Sequence, residues 1–220
     1  MSNAGLINSS IGRKILMALT GLFLCIFLIE HLIGNSLLLL GDGGASFNDF
    51  SATMSHNLFI RLVEIFLFLA ILVHIIDAIV LTVRNRQARG GIAYSVNNVS
   101  VNSTWFSRNM PVTGLIILLF FILHLKDFFY EYRIEGLENE TLYDEVVEAF
   151  QTGWYVAFNC VAFILLGFHL NHGFQSAFQT LGLGHKEYFR VIKGIGIAFT
   201  VIVTIGFVVI PLAIFFEICN

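Results

Sequence analysis

Five long runs of apolar residues, separated by short polar segments, dominate the pattern of this chain. They cover roughly residues 14–40, 58–83, 110–130, 154–174 and 191–216. Each run is close to the ~20 residues that a helix needs to cross the ~30 Å hydrocarbon layer of a bilayer. A backbone in contact with lipid must satisfy its own hydrogen bonds, so we expect each run to be helical. The pattern predicts an all-α membrane protein built as a bundle of five transmembrane helices.

The composition agrees with this prediction. Hydrophobic residues make up 57% of the 220 residues and charged residues only 12%, and the mean hydropathy is +0.82, far above that of an ordinary soluble domain. No boundary divides the chain, so residues 1–220 are expected to form a single transmembrane domain. The formal net charge of −3 is close to neutral, and we predict a bilayer as partner and no nucleic acid.

The distribution of charge predicts the orientation of the bundle. Basic residues stand before the first run, between the second and third, and between the fourth and fifth: Arg13, Lys14, Arg84, Arg86, Arg89, Arg108, Lys186, Arg190 and Lys193. Acidic residues dominate the segment between the third and fourth runs, where "TLYDEVVEAFQT" has the spacing of a short amphipathic helix. Lysine and arginine favour the cytoplasmic side, so we predict a cytoplasmic N-terminus and an external C-terminus.

Histidines recur in four consecutive runs: His31, His74, His124, and the two histidines His169 and His172. An ionisable side chain inside the membrane is costly and indicates a functional site. One such residue is readily explained by a hydrogen bond to a neighbouring carbonyl, whereas one in each of four helices favours a shared function.

Counting about 1.5 Å per helical residue places these histidines at two depths. His31 and His124 lie 17 and 16 residues beyond the basic residues that precede their runs, or about 25 Å from the cytoplasmic side. His74 and His169 belong to the inner half: His74 lies about 15 Å from the cytoplasmic surface, and His169 lies about 8 Å from it. Two histidines on different helices at each depth suit two b-type haems held by axial imidazoles, which favours electron transfer over binding of oxygen or substrate.

Four segments carry a resemblance to a known family: "TGLFLCIFLIEHLIGN", "EIFLFLAILVHIIDA", "FFILHL" and "HLNHGFQSAFQTLGLGH". They resemble the five-helix, two-haem cytochrome b subunits that anchor succinate dehydrogenases and fumarate reductases in the membrane, and the likeness extends over all five runs. It implies that His31 and His124 ligate an outer haem. It also implies that His74 and His169 ligate an inner haem.

The fourth run contains a rival ligand, because His172 lies one turn beyond His169. In the family the ligand of this helix stands four residues before a glycine, which selects His169, before Gly173, and leaves His172 beside the cofactor. The glycines expected to let a flat porphyrin approach the backbone are Gly34, three residues after His31, Gly167, two residues before His169, and Gly173, four residues after it. Ordinary helix packing through small residues explains them equally well.

The resemblance also implies the partners and the reaction. A flavoprotein subunit with FAD and a subunit with iron–sulfur clusters would dock on the cytoplasmic side of a bacterial inner membrane. Electrons would pass between these subunits and a membrane quinone, with menaquinone expected, as part of the respiratory chain and the tricarboxylic acid cycle. The chain would be the quinone-reactive, electron-transfer subunit of the enzyme and would not itself oxidise succinate.

Several polar residues near the runs are weaker candidates. Glu30, beside His31, and Asp49, in the loop after the first run, are candidates for a quinone site. Asp77, one turn beyond His74, is a candidate for orienting an imidazole. For the basic residues Arg13, Lys14, Arg84 and Arg108, we expect contacts with lipid headgroups rather than with haem propionates.

Two other functions stay open on the sequence alone. One is another quinone-linked di-haem cytochrome b, such as the subunit of a hydrogenase or a formate dehydrogenase. The other is a transporter in which the histidines line a path for protons or metal ions. The first and fifth runs lack the Gly/Pro-interrupted segments that often mark transport sites, which disfavours the transporter.

Overall fold

The computed structural model describes residues 9–89, 105–137 and 141–218. These ranges contain the helices α1 (Ser10–Ser36), α2 (Ala45–His56), α3 (Leu58–Arg89), α4 (Trp105–His124), α5 (Leu142–Phe150), α6 (Gly153–Thr180) and α7 (Lys186–Phe215), and they contain no strand. Five of the helices, α1, α3, α4 with its continuation, α6 and α7, are long and apolar enough to span a membrane. The predicted fold class, an all-α multi-pass membrane protein with five spans, is confirmed.

Four of the spanning helices form a four-sided bundle. α1 packs against α3 and α6, and α6 packs against α4, whereas α3 and α4 contact each other only sparsely. α1 and α4 therefore stand on opposite corners of the bundle, as do α3 and α6. α7 packs outside the bundle, mainly against α6 and also against α1.

The two short helices α2 and α5 cover one end of the bundle, which we call the cap end. They are joined by a hydrogen bond of 3.1 Å from the Tyr143 amide to the Asn48 side-chain oxygen. Gly44, at the start of α2, has a φ of 82° and lies against the Tyr143 ring, where a Cβ would overlap the ring. The opposite end, at which α1 begins, is called the N end. The last spanning helix, α7, ends at the cap end. The first residue of α1 and the last residue of α7 therefore lie at opposite ends of the bundle.

Side-chain carboxylates cap both short helices. In α5 the Asp144 carboxylate accepts from the Thr141 amide at 2.9 Å and the Thr141 hydroxyl accepts from the Asp144 amide, which forms a capping box. Hydrogen bonds from Thr141 lower the pKa of Asp144. Before α2, Asp42 accepts from the amides of Gly44 and Ser46, and hydrogen bonds from Ser46 lower its pKa most. The amphipathic helix predicted from "TLYDEVVEAFQT" is present as α5.

α4 continues as a π-helix, Leu125–Glu135, that begins directly after His124. π-helical turns are usually single and often lie at functional sites, whereas this one extends over 11 residues. Arg133 on the π-helix donates to the Glu64 carboxylate on α3 at 2.7 Å and to the Ser55 carbonyl on α2 at 3.2 Å. These contacts join α3 to the continuation of α4 at the cap end.

Large apolar side chains cover the outward faces of the spanning helices; examples are Ile26, Phe66, Leu119, Ile164 and Ile202. In water an apolar surface of this extent would be strongly unfavourable. The helices are therefore built for contact with lipid. The polar and small residues on their inward faces determine what the centre of the bundle can hold.

Candidate functional site

Four histidines, one from each helix of the four-sided bundle, meet in two pairs. The ring centroids of His31 on α1 and His124 on α4 are 5.7 Å apart, with 88° between the ring planes. Those of His74 on α3 and His169 on α6 are 6.4 Å apart, with 65° between the planes. Each pair joins two helices on opposite corners, so the imidazoles meet across the bundle interior. We call His31 and His124 the cap-side pair, and His74 and His169 the N-side pair.

The two pairs lie at different heights along the bundle. Thr20 on α1 contacts the N-side pair, and His31 of the cap-side pair follows about three turns later on the same helix. On α4, Thr113 contacts the N-side pair, and His124 again follows about three turns later. The helical rise then gives a vertical separation of about 16 Å on both helices.

Both centroid distances suit one metal ion between two imidazoles. An imidazole nitrogen bonds a first-row transition-metal ion at about 2 Å, and the nitrogen lies about 1 Å from its ring centre, so two opposed ligands place their centroids about 6 Å apart. Within the described ranges, no group of three or more His, Cys, Asp and Glu side chains is arranged to hold a metal ion. Among the described residues, each pair therefore offers two imidazole ligands to a metal ion.

Threonine hydroxyls contact both imidazoles of the N-side pair. Thr20 Oγ1 on α1 lies 3.2 Å from His74 Nδ1, and Thr113 Oγ1 on α4 lies 3.5 Å from His169 Nδ1. Thr113 is 4% exposed and Thr20 is 9% exposed, so both contacts are shielded from solvent. Nδ1 of each ring is thereby occupied, and Nε2 is the nitrogen left for a metal.

A buried ion pair lies one turn from His74, toward the N end. Arg13 Nη1 on α1 donates to Asp77 Oδ1 on α3 at 2.6 Å, and Asp77 is 2% exposed. The expectation that Arg13 neutralises lipid headgroups is therefore wrong. Asp77 binds Arg13, and no hydrogen bond among the described residues joins it to an imidazole. The second carboxylate oxygen of Asp77 and Nε of Arg13 are buried without a hydrogen-bond partner in the described part of the chain.

The cap-side pair has apolar surroundings instead. Four phenylalanines have ring centroids 5.1–5.8 Å from one of its imidazoles: Phe27 and Phe207 beside His31, and Phe120 and Phe128 beside His124. Phe207 belongs to α7, so the fifth spanning helix also contributes to this pair. None of the hydrogen bonds found within the described ranges involves a ring nitrogen of His31 or His124. Among the described residues, aromatic rings pack against both imidazoles of this pair.

The glycines predicted to approach a cofactor differ in their surroundings. A Cβ on Gly34 would lie 2.5 Å from the Phe50 ring of α2, so this glycine accommodates an α1–α2 contact. A Cβ on Gly173 would meet no atom of the described residues within 4 Å. His172, the rival ligand on α6, is partly buried and is not paired with another imidazole within the described ranges. Gly173, one turn beyond His169 on α6, therefore has open space beside it.

The two quinone-site candidates are both exposed and lie near the cap end. Glu30 is on the outward face of α1, together with Ile26 and Ile33, which are 66% and 59% exposed. Asp49 is on α2, the helix that covers the cap end. Neither side chain forms a hydrogen bond or an ion pair with another described residue. Both remain candidates for a quinone site.

Sequence reasoning missed the threonines, although a sequence signal identifies them. "MALTGL" in α1 and "MPVTGL" in α4 both contain Met-x-x-Thr-Gly-Leu. The interval from Thr20 to His31 equals the interval from Thr113 to His124. The two helices therefore repeat one pattern, in which the threonine contacts one histidine pair and the later histidine belongs to the other. Comparison of the apolar runs with each other reveals this repeat, whereas their hydropathy alone does not.

No protein-family model, characterised protein or solved structure matches this chain. Any assignment of function must therefore come from the geometry of the two pairs and from the resemblance in sequence.

Proposed function

We propose that this chain is the di-haem cytochrome b subunit that anchors a succinate:quinone oxidoreductase and carries electrons between its iron–sulfur subunit and a membrane quinone. The observation that supports the proposal is the meeting of four histidines, from four different helices, in two pairs with centroids 5.7 and 6.4 Å apart. A b haem held by each pair would supply a one-electron carrier.

The residues of the chain have distinct roles in this function. His31 and His124 would hold one haem iron, and His74 and His169 the other. The phenylalanines around the cap-side pair exclude water and leave a low-dielectric environment, which is one of the levers that set a reduction potential. The open space at Gly173 suits the flat face of a porphyrin next to the N-side pair.

The orientation and partners follow from the charges at the two ends. Arg84 and Arg86 at the end of α3, and Lys193 in α7, lie at the N end, and the positive-inside rule assigns that end to the cytoplasm. An iron–sulfur subunit, with a FAD-containing flavoprotein subunit behind it, would dock there, in a bacterial inner membrane. The N-side pair is then the one closer to the electron donor or acceptor in the cytoplasm.

The quinone would react at the cap side, since the cap-side pair is the one remote from the iron–sulfur subunit. Menaquinone is the quinone that the resemblance favours. Glu30 and Asp49 are the carboxylates available for its protons, and Glu30 is the one reachable from lipid because it lies on the outward face of α1.

The decisive experiment purifies the chain with its natural partners from its own membrane and reduces the haems with different donors. We expect co-purifying flavin and iron–sulfur protein, and reduction of the haems by succinate but not by formate or hydrogen. Reduction by formate or hydrogen in place of succinate would assign the chain to another quinone-linked cytochrome. A preparation without haem that moves protons or metal ions across vesicles would overturn the proposal in favour of a transporter.

A further inference from the structure

We propose that Thr20 and Thr113 are positioning residues for the haem of the N-side pair, each fixing one imidazole with its Nδ1 proton toward the hydroxyl and its Nε2 free for iron. This inference rests on the proposed function, because it assumes that the pair holds a haem. It adds two residues outside the ligand set and assigns them to one haem only.

The hydrogen bonds of the two threonines determine the direction of each contact. Thr20 Oγ1 lies 2.9 Å from the Leu16 carbonyl, and Thr113 Oγ1 lies 3.2 Å from the Asn109 carbonyl. A carbonyl oxygen only accepts, and a hydroxyl has a single hydrogen, so a hydroxyl that donates to its own helix has no hydrogen left for the imidazole. The remaining lone pairs of Oγ1 can then only accept from the imidazole. Nδ1 must carry the proton, and the neutral ring leaves Nε2 as the metal ligand.

Each threonine contacts a different imidazole of the N-side pair, so replacing one leaves the other imidazole positioned. A clean test therefore replaces both threonines together.

The residue after each threonine is a glycine that faces the same imidazole. A Cβ on Gly21 would lie 3.4 Å from His74 Cε1, and a Cβ on Gly114 would lie 3.7 Å from His169 Cε1. The Thr-Gly dipeptide thus presents a hydroxyl and a low backbone surface to the same ring edge. The helices α1 and α4 each contain this Thr-Gly dipeptide. In both helices the interval from the threonine to the next histidine is the same.

A hydrogen bond from Nδ1–H makes an imidazole a more basic ligand, and loss of such a partner typically weakens metal binding about 10-fold or more. A more basic ligand stabilises ferric haem relative to ferrous haem. Removing both hydroxyls should therefore raise the midpoint potential of the N-side haem and weaken its retention. The cap-side haem should not change, because no threonine in the described part of the chain contacts its imidazoles.

The test replaces both threonines by valine, which has nearly the same shape and no hydroxyl, in the complete membrane complex. Haem potentials are measured by optical redox titration, and haem retention by transfer to excess apomyoglobin. The His124→Ala variant, which should keep only the N-side haem, identifies that component. We expect Thr20→Val with Thr113→Val to raise the N-side potential and to speed release of that haem about 10-fold. The cap-side values should stay constant.

Two further variants make the result specific. Thr20→Ser with Thr113→Ser keeps both hydroxyls and should restore the parental potential. Thr200→Val removes a hydroxyl on α7 that is buried without a hydrogen-bond partner among the described residues, and it should shift neither potential.

Several outcomes would overturn the inference: unchanged values for the N-side haem in the valine variant, equal shifts or loss of both haems, or failure of the serine variant to restore the potential. A parent complex that contains no haem would overturn the proposed function itself. A parent complex with two haems that are indifferent to the threonines would overturn only this inference.

Discussion

The cap-side pair and the N-side pair each consist of two histidines, but different contacts surround the imidazoles of each pair. The N-side imidazoles contact hydroxyls of Thr20 and Thr113, and the Arg13–Asp77 ion pair lies one turn away. The cap-side imidazoles pack against aromatic rings and have no side-chain hydrogen bond in the described part of the chain. A histidine in a membrane can thus be oriented by a polar contact or by close packing.

The difference between the pairs has a functional reason under the proposed function. A ligand held by a hydrogen bond is made more basic, whereas a ligand held by aromatic packing is not, so one chain can give two chemically identical haems different potentials. Each pair should therefore respond to its own set of mutations.

The largest expected effect comes from removing a ligand. His31→Ala or His124→Ala should remove the cap-side haem and leave the other, while His74→Ala or His169→Ala should do the converse. The haem content per chain is measured after purification by the pyridine haemochrome spectrum. His172→Ala is the matched control and should retain both haems. Retention of both haems in any of the four ligand variants would contradict the assignment.

The two cross-helix ion pairs should differ in their effect on stability. Arg13–Asp77 and Arg133–Glu64 have similar lengths, 2.6 and 2.7 Å, but the carboxylate side chains are 3% and 26% exposed. Asp77→Asn removes the charge of a buried carboxylate and should lower the free energy of unfolding by about 3 kcal/mol. Glu64→Gln changes a partly exposed carboxylate, and Arg133 keeps the Ser55 carbonyl as an acceptor, so this variant should cost at most about 1 kcal/mol.

Denaturation of both ion-pair variants in mixed detergent micelles, followed by circular dichroism, measures the two changes. Equal losses of unfolding free energy would show that the burial of the carboxylate does not determine how much each ion pair stabilises the fold.

The two glycines near the pairs should respond oppositely to alanine. Gly34→Ala places a Cβ 2.5 Å from the Phe50 ring, so α1 and α2 must separate at the cap end. This overpacking should lower the free energy of unfolding by about 1–2 kcal/mol. Gly173→Ala meets no described atom within 4 Å and should not lower the stability of the haem-free chain.

If Gly173 faces the porphyrin, its alanine variant should instead release the N-side haem faster. Thermal unfolding without haem and haem transfer with haem separate the two effects. A Gly34→Ala variant as stable as the parent would disprove the packing role assigned to that glycine.

The smallest effect is the pH response of the capped helices at the cap end. Hydrogen bonds lower the pKa of Asp42 and of Asp144 below the ordinary 3.8. A carboxyl group with a lowered pKa stabilises the fold above its ordinary pKa, and that contribution is lost as the pH falls through the folded-state value. Stability of α2 and α5 should therefore be constant from neutral pH to about pH 5 and decrease below about pH 4.

Hydrogen exchange of the α5 amides, compared with the Asp144→Asn variant at each pH, measures this response. The variant should be less protected than the parent at neutral pH, and the difference should vanish in acid. A difference that persists at pH 2 would contradict the capping role of the carboxylate.

The sequence predicted the five spans well because each needs little more than sustained hydropathy. The third span, predicted to end near residue 130, extends to Glu135 as a π-helix. Hydropathy cannot indicate this, since a π-helix differs from an α-helix in hydrogen bonding and not in composition. α2 was not predicted either, because "ASFNDFSATMSH" mixes polar and apolar residues and is held by its contacts with α5.

The two histidine pairs of the candidate site were predictable from the sequence, but their surroundings were not. Four histidines in four apolar runs, counted by helical rise, are enough to group His31 with His124 and His74 with His169. The pairing of Arg13 with Asp77 was not predictable, because the two residues are 64 positions apart and depend on how α1 packs against α3. The threonine contacts depend on the same packing, although the repeated Thr-Gly-Leu pattern was visible in the sequence.

The most direct test of the central claim is the haem content and spin state of the purified chain. We predict two b haems per polypeptide, both giving the low-spin electron paramagnetic resonance signals of iron with two axial imidazoles. A chain that contains no haem, a single haem, or high-spin haem with an open axial position would contradict the claim that the two histidine pairs each hold one iron.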